Sequence, residues 1–339
     1  MLITPQKIYT ENHCYQPISN NPQNKYLYNE THIYQICEDL SLTPAGTINI
    51  KQKNSRSISF HPTKQLVGII TNDFAQLCDF SGNHIWQQNG DFSCILFSRD
   101  GNKLWLCEKS NKNQIKISIF HTTGDLILSY EFEDKLYDSA LRICDIPNSD
   151  HIALELAAGQ DGIIIYDIHF DETEPQIKMT EMFPHCSYIL PTWHESGETL
   201  LTLENDEMLY ALFNYPKLGL ITEQDDLSEE FETEEEEEDN HPGYNLLILK
   251  NNLGVVQNSS YRHYIFNLSE MTRLEEIKFK GYEPVPTNQV FPRLANDTTL
   301  YSELIYLDRI GDLLIAKTHY KDKKQHVLLI KESDFINQL

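Results

Sequence analysis

A run of carboxylates late in the chain is the part of the sequence best suited to binding. Between Glu223 and Asn240 there are twelve acidic residues and no basic one, which accounts for half of the formal net charge of −24. Like charges at this density repel one another, so the run favours an extended, solvated segment that attracts basic molecules over long distances. It therefore predicts a binding site for a basic protein partner. The predicted partner-binding residues are Glu234, Glu235, Glu236, Glu237, Glu238 and Asp239.

Two other interpretations of the acidic run stay open. Such a run is also typical of a solvated loop that only raises solubility. Capture of a divalent metal ion is a weaker alternative, because a calcium-binding loop needs a glycine and acids at alternating positions, and the run offers neither.

The remaining candidates for chemistry do not form a site in the sequence. His194 and Glu195 match the first two positions of a zinc-protease helix motif, but Glu198 stands where the second histidine is required. The seven cysteines are scattered without CxxC spacing, which is typical of buried free thiols. There is no nucleophile elbow, phosphate-binding glycine loop or kinase signature. The sequence thus predicts no catalytic, no cofactor-binding and no metal-ligating residues.

The elements that would position any site come from a repeated unit of strand, polar turn and strand. One copy runs from Ser57 to Ile70 and the next from Phe92 to Leu106. Third and fourth strands follow around the turn glycines Gly82 and Gly124, which are 42 residues apart. Four short strands recurring every roughly 40–50 residues predict the blades of a β-propeller. A pair of β-sandwiches or a β-helix is the alternative.

Three of the turns carry a family resemblance. Phe60–Pro62, Phe97–Gly101 and Trp193–Gly197 resemble the Phe-Ser-Pro-Asp-Gly turn of WD-repeat propellers, and similar units span most of the chain. No Trp-Asp pair and no Gly-His pair occurs, and only Asp79 and Asp167 lie near the position of the hydrogen-bonded tetrad that locks the blades of that family. The resemblance implies a divergent WD-repeat-like propeller.

Counting the repeats predicts an all-β fold, a β-propeller of seven blades with four antiparallel strands each, in a single domain over residues 1–339. Six blades follow from Ser57 onward, and an earlier one fits residues 15–36. A disordered acidic loop is predicted at residues 222–243, inserted between blades. Because the C-terminal strand His326–Ile330 lacks an outer neighbour, residues 2–12 are predicted to complete the last blade.

Composition narrows the classes of partner. The net charge argues against binding to nucleic acid and to anionic membrane surfaces, since both require clustered basic residues. No apolar run approaches the roughly 18 residues needed to span a bilayer, and no signal-peptide pattern opens the chain. An odd number of scattered cysteines is typical of a reducing compartment, so a cytoplasmic protein is expected.

These features favour a non-enzymatic protein-interaction scaffold, with a basic protein bound through the acidic run. A narrower alternative is an acidic inhibitor or immunity-type protein that neutralises a basic toxin or nuclease. The alternative from another class is a propeller enzyme, a hydrolase or lyase with a site at the channel mouth. The sequence leaves the oligomeric state open.

Overall fold

Short runs of β-branched and aromatic residues, separated by turns of Asn, Asp, Gly and Ser, fold into strands along the chain, because such side chains suit a pleated and partly buried surface. A single short helix, α1 (Glu332–Ile336), is described near the end. The computed structural model describes residues 1–10, 14–15, 25–29, 31–48, 57–71, 73–111, 114–133, 139–157, 163–183, 188–204, 209–223, 242–258, 262–280, 303–319 and 325–339.

Two short strands, β1 (Leu2–Ile3) and β2 (Lys7–Tyr9), open the chain. The sixteen strands after them form four sheets in chain order, blades 1 to 4, within a compact unit of residues 14–188. Blade 1 holds β3 (Cys14–Tyr15), β4 (Tyr26–Tyr28), β5 (His32–Ile36) and β6 (Leu42–Thr47); blade 2 holds β7 (Ser57–Phe60), β8 (Leu66–Ile70), β9 (Phe74–Asp79) and β10 (His84–Asn89); blade 3 holds β11 (Phe92–Phe97), β12 (Lys103–Asn111), β13 (Gln114–His121) and β14 (Leu126–Glu133); blade 4 holds β15 (Ser139–Asp145), β16 (Ile152–Ala157), β17 (Ile163–Asp171) and β18 (Gln176–Glu181).

A second compact unit contains residues 1–13 and 189–339 and holds three further sheets, blades 5 to 7. Blade 5 holds β19 (Tyr188–Trp193), β20 (Thr199–Glu204), β21 (Tyr210–Asn214) and β22 (Leu220–Glu223); blade 6 holds β23 (Pro242–Ile248), β24 (Leu253–Asn258), β25 (His263–Asn267) and β26 (Thr272–Phe279); blade 7 holds β27 (Glu303–Ile310), β28 (Leu313–His319) and β29 (Gln325–Lys331).

Each blade is a sheet of strands that follow one another along the chain. In blades 1 to 4 every neighbouring pair is antiparallel, which a chain of short turns produces directly. Blade 7 obtains its fourth, outer strand from β2, which pairs antiparallel with β29. The fold is therefore a seven-bladed β-propeller with four antiparallel strands per blade, as the repeats predict. The division into one domain over residues 1–339 stays a prediction.

The N-terminal segment departs from its prediction in one respect. Lys7–Tyr9 completes the last blade as expected, but Leu2–Ile3 does not. Those two residues pair parallel with β26 and add a fifth strand to blade 6. The prediction that residues 2–12 complete the last blade is thus right for β2 and wrong for β1, and residues 11–12 lie outside the described residues.

Within each compact unit, buried clusters lie between the faces of consecutive blades. Between blades 2 and 3, buried Leu77, Phe92 and Leu104 form one cluster, and the Trp86 ring stacks on Phe120 with centroids 5.4 Å apart. Aromatic side chains also contribute to the buried core, and they include Tyr26, Tyr264 and Phe266.

One turn is held by an unusually close approach between neighbouring blades. The His61 ring is buried, and its Nδ1 accepts hydrogen bonds from the backbone N–H groups of Thr63 and Lys64, each at 3.0 Å. Against this ring lies Gly101, in the turn between β11 and β12, with φ of +74°. A Cβ atom there would overlap the imidazole, so only glycine fits both the backbone conformation and the space.

We expect Gly101→Ala to lower the free energy of unfolding by about 2–4 kcal/mol, from left-handed backbone strain plus the clash with His61. Gly82→Ala is the matched control, because Gly82 has φ of +84° but a Cβ there would meet only Thr47 Oγ1, at 3.6 Å. The control is expected to lose only the backbone part, about 1–2 kcal/mol. Urea denaturation of both variants measures the difference. Equal losses would show that the His61 side chain moves away from the added methyl group without lowering the free energy of unfolding.

Candidate functional site

The acidic run follows β22 of blade 5 and precedes β23 of blade 6 in the sequence. Its residues 224–241 lie outside the described residues, and the disordered loop inserted between blades stays a prediction. The predicted boundaries of 222–243 are too wide, because Thr222 and Glu223 belong to β22, and Pro242 and Gly243 belong to β23. The predicted partner-binding residues Glu234, Glu235, Glu236, Glu237, Glu238 and Asp239 lie outside the described residues.

The strand that leads into the acidic run has an exposed apolar surface. In β22, Leu220 is 52% exposed and the adjacent Ile221 is 49% exposed. The strand is the outermost of blade 5 and pairs on one side with β21. Outer strands of other blades also carry exposed apolar side chains, such as Leu126 and Tyr130 in β14, but only in β22 of the described outer strands are two of them adjacent. An apolar strand edge beside a strongly acidic segment is the feature of blade 5 best suited to binding a protein.

A second candidate site, in blade 4, is built from two histidines and an aspartate. Asp150 and His151 lie in the turn between β15 and β16, and His169 lies in β17. Because Ile152 pairs with Ile168 in the antiparallel register, one further step places His151 opposite His169 on the same face. Their rings stack with centroids 4.7 Å apart and planes at 26°. One ligand atom from each of the three side chains lies within 4.8 Å of the other two.

The hydrogen bonds around these rings define which nitrogen faces which partner. Asp167 Oδ1 lies 2.6 Å from His151 Nδ1, and since a carboxylate only accepts, that nitrogen is the donor. His151 Nε2 lies 3.8 Å from Asp150 Oδ1, and His169 Nδ1 lies 3.4 Å from Asp150 Oδ2. Among the described residues, His169 Nδ1 is buried and has no hydrogen-bond partner. Two imidazoles and a carboxylate in this arrangement can hold a metal ion.

Motif spacing does not reveal this cluster, because the two histidines are eighteen residues apart and belong to no Cys/His pattern. The signal that could have found them is the hairpin register. In that register Ile152 pairs with Ile168, and this pairing brings His151 opposite His169.

No family model and no curated protein matches this sequence. Among solved structures, the chain is similar to the β-propeller domain of Cps50 (Swd1) from Myceliophteria thermophila, with a TM-score of 0.59 at 10% sequence identity. The match covers 96% of this chain and 100% of that one. It agrees with the seven sheets. The protein has the fold of a WD-repeat-like β-propeller.

The propeller uses the two aspartates of the expected tetrad differently. Asp79 closes the turn between β9 and β10 by accepting the backbone N–H groups of Ser81 and Asn83, at 2.9 and 2.8 Å. Hydrogen bonds from the Asn83 side chain and backbone hold the pKa of Asp79 below its usual value. Asp167 instead orients His151. Neither contact joins one blade to the next.

Other buried polar groups join the blades of this propeller. The Phe97 N–H donates to Ser59 Oγ at 2.9 Å, between β11 and β7. Between β23 and β27, the Asn245 amide donates to the Leu307 carbonyl oxygen and accepts from the Leu307 N–H, both at 2.9 Å. These side chains pair with backbone groups of the adjacent blade and so satisfy buried polar groups where two blades meet.

Four of the seven cysteines, Cys78, Cys94, Cys107 and Cys144, are buried and free as predicted, whereas Cys37 is free but only partly buried. Burial raises the pKa of Cys78 to about 11 and that of Cys144 to about 12. Thiols with such pKa values stay protonated at neutral pH and are poor nucleophiles. His194 lies in the turn between β19 and β20, where its Nδ1 contacts Ser196 Oγ at 2.9 Å, so the zinc-protease resemblance has no helix to support it.

Within the described ranges, no helix combines the length and the apolar character needed to cross a membrane.

Proposed function

We propose that the protein is a non-enzymatic interaction scaffold that binds a basic protein through the acidic run and the exposed edge of β22. The observation that carries the proposal is the joint placement of two features. Half of the net charge lies in one connection, and the strand leading into it exposes Leu220 and Ile221.

The two features supply different parts of a binding event. The acidic run attracts a basic partner from a distance and so raises the association rate. Exposed charges by themselves hold a complex weakly, because water and salt screen them. Leu220 and Ile221 offer apolar surface that a partner can remove from water, and the open side of β22 offers backbone groups to which an added strand can bond.

The central test replaces Glu234, Glu235, Glu236, Glu237 and Glu238 with Gln. We expect this variant to capture markedly less of a basic protein from native lysate than the wild type does, and to associate with that protein several-fold more slowly at low salt. The rate difference should shrink as salt rises, because the lost attraction is screened beyond about 8–10 Å at physiological ionic strength. Mass spectrometry of the captured proteins and binding kinetics across a salt series measure both effects.

A dispersed variant is the matched control for net charge. It changes five exposed acids spread over four blades to Gln, namely Glu38, Glu131, Glu174, Glu181 and Glu198. If overall charge alone guides the partner, the two five-Gln variants will associate equally slowly, and the acidic run is then no binding site. Identical capture by the wild type and both variants would leave the run as a solubilising loop.

A second pair of variants tests whether the exposed apolar side chains of β22 contact the partner. Leu220→Ser is expected to speed dissociation of the same partner, whereas Leu126→Ser, at a position 55% exposed on the outer strand of blade 3, is expected to leave it unchanged. Equal dissociation rates would exclude β22 from the interface. A captured nuclease or toxin that loses activity on binding would place the protein in the narrower class of acidic inhibitors.

A further inference from the structure

We propose that Asp150, His151 and His169 form a binding site for a divalent transition-metal ion of the zinc type. The three ligand atoms are His151 Nε2, His169 Nδ1 and a carboxylate oxygen of Asp150. They come from one turn and one strand of blade 4, and none of them belongs to the acidic run.

Two of the three separations between the ligand atoms are close to those around a tetrahedral ion, and the third is within 4.8 Å. Metal–ligand bonds of 2.0–2.2 Å place two ligands of a tetrahedron about 3.3–3.6 Å apart. The carboxylate oxygens of Asp150 lie 3.4 Å from His169 Nδ1 and 3.8 Å from His151 Nε2. The Asp150 side chain is 76% exposed on its turn, so a small rotation can bring one oxygen to both nitrogens.

The surroundings orient the histidines as metal ligands. Asp167, 17% exposed, accepts a hydrogen bond from His151 Nδ1. This bond fixes the ring and directs the lone pair of Nε2 toward Asp150. A carboxylate behind a histidine in this way raises the basicity of the ligand and is the usual outer partner of a metal-bound imidazole. His169 Nδ1 is buried without a hydrogen-bond partner in the described part of the chain, so a metal ion would satisfy it.

The ligand types select the class of ion. Two imidazoles with one carboxylate suit zinc, copper, nickel or cobalt, whereas calcium and magnesium prefer oxygen ligands only. Three protein ligands leave a fourth position of the tetrahedron for water or for a side chain of another molecule. A bound ion would link the turn before β16 to the facing end of β17.

The test is a calorimetric titration of the full-length protein with Zn²⁺ after removal of metals by a chelator and with thiols kept reduced. One ion is expected to bind per chain, and His151→Gln and His169→Gln are each expected to weaken binding at least 100-fold. Asp167 is not a ligand of the proposed ion but holds the ligand His151. Asp167→Asn is therefore expected to weaken binding 10- to 100-fold, the range found for outer partners of metal ligands. His121→Gln, at an exposed histidine at the end of β13, is the control and is expected to change nothing.

Two further measurements keep the test decisive. If a histidine variant does not fold, Asp150→Asn replaces it, because this exposed turn position tolerates change, and weakened binding is again expected. Co²⁺ added to the wild type should give the strong visible absorption of four-coordinate cobalt, and the His169→Gln variant should lose it. The proposal is overturned if Zn²⁺ does not bind, or if binding survives both histidine substitutions. It is also overturned if binding disappears only when Glu234–Glu238 are changed to Gln.

Discussion

Deletion of residues 1–10 is expected to remove most of the stability of the folded protein. The deletion takes away β1 from blade 6 and the outer strand β2 from blade 7. It removes backbone hydrogen bonds from Lys278 to Met1, from Lys280 to Ile3 and from Gln6 to Leu329, at 2.8, 2.8 and 3.0 Å. It also uncovers a core in which Ile3 is fully buried. The cavity left by Ile3 and the lost hydrogen bonds are together expected to lower the free energy of unfolding by more than about 5 kcal/mol, a large part of the stability of a typical domain.

A pair of single substitutions tests the same argument within the intact chain. Ile3 packs with Leu247, Phe279 and Phe335, whereas its neighbour Leu2 is 60% exposed. Ile3→Ala is expected to lower the free energy of unfolding by about 2–4 kcal/mol, and Leu2→Ala by less than about 0.5 kcal/mol. Urea denaturation of the two variants provides the measurement. Equal effects, or a ten-residue deletion that melts with the wild type, would contradict the assignment of this segment to the core.

The N-terminal segment also shows how much of the fold can be predicted from the sequence. The need for an outer strand on β29 follows from the repeat pattern, and β2 supplies it as predicted. The pairing of β1 does not follow, because hairpin logic describes strands joined by short turns and β1 pairs parallel with a strand far away in the chain. Pro5 lies between the two strands, and a residue without a backbone N–H is suited to a point where the chain changes sheets.

The sequence likewise predicts some features of the candidate sites and not others. The acidic run is visible in the sequence because charge is a property of composition, and its place between blades follows from the interrupted repeat. The exposed pair Leu220 and Ile221 is not visible, since an apolar pair in a strand is normally assigned to the core and only the sheet order places β22 on the outside. The histidine cluster needs the register of β16 and β17, which a repeat count does not provide.

The second large effect is expected at a buried ion pair in blade 4. Arg142 and Glu155 are direct partners across β15 and β16, where the guanidinium donates to both carboxylate oxygens, with Nε at 3.0 Å from Oε2. Glu155 is 1% exposed and Arg142 is 29% exposed. A buried carboxylate needs this charge and these hydrogen bonds, because it has given up its hydration.

Arg142→Met is therefore expected to lower the free energy of unfolding by about 3–5 kcal/mol, since it leaves the Glu155 carboxylate buried without its cation. Glu155→Met should cost less, because the partly exposed guanidinium of Arg142 can turn toward water. The double variant removes both charges and is expected to lie within about 1–2 kcal/mol of the wild type, as apolar residues often replace a buried pair without loss. Urea denaturation of all four proteins closes a double-mutant cycle, in which a coupling energy above about 2 kcal/mol is expected. A coupling near zero would mean that Glu155 finds other partners or water once the arginine is gone, and that the pair contributes little to holding the inner strands of blade 4 together.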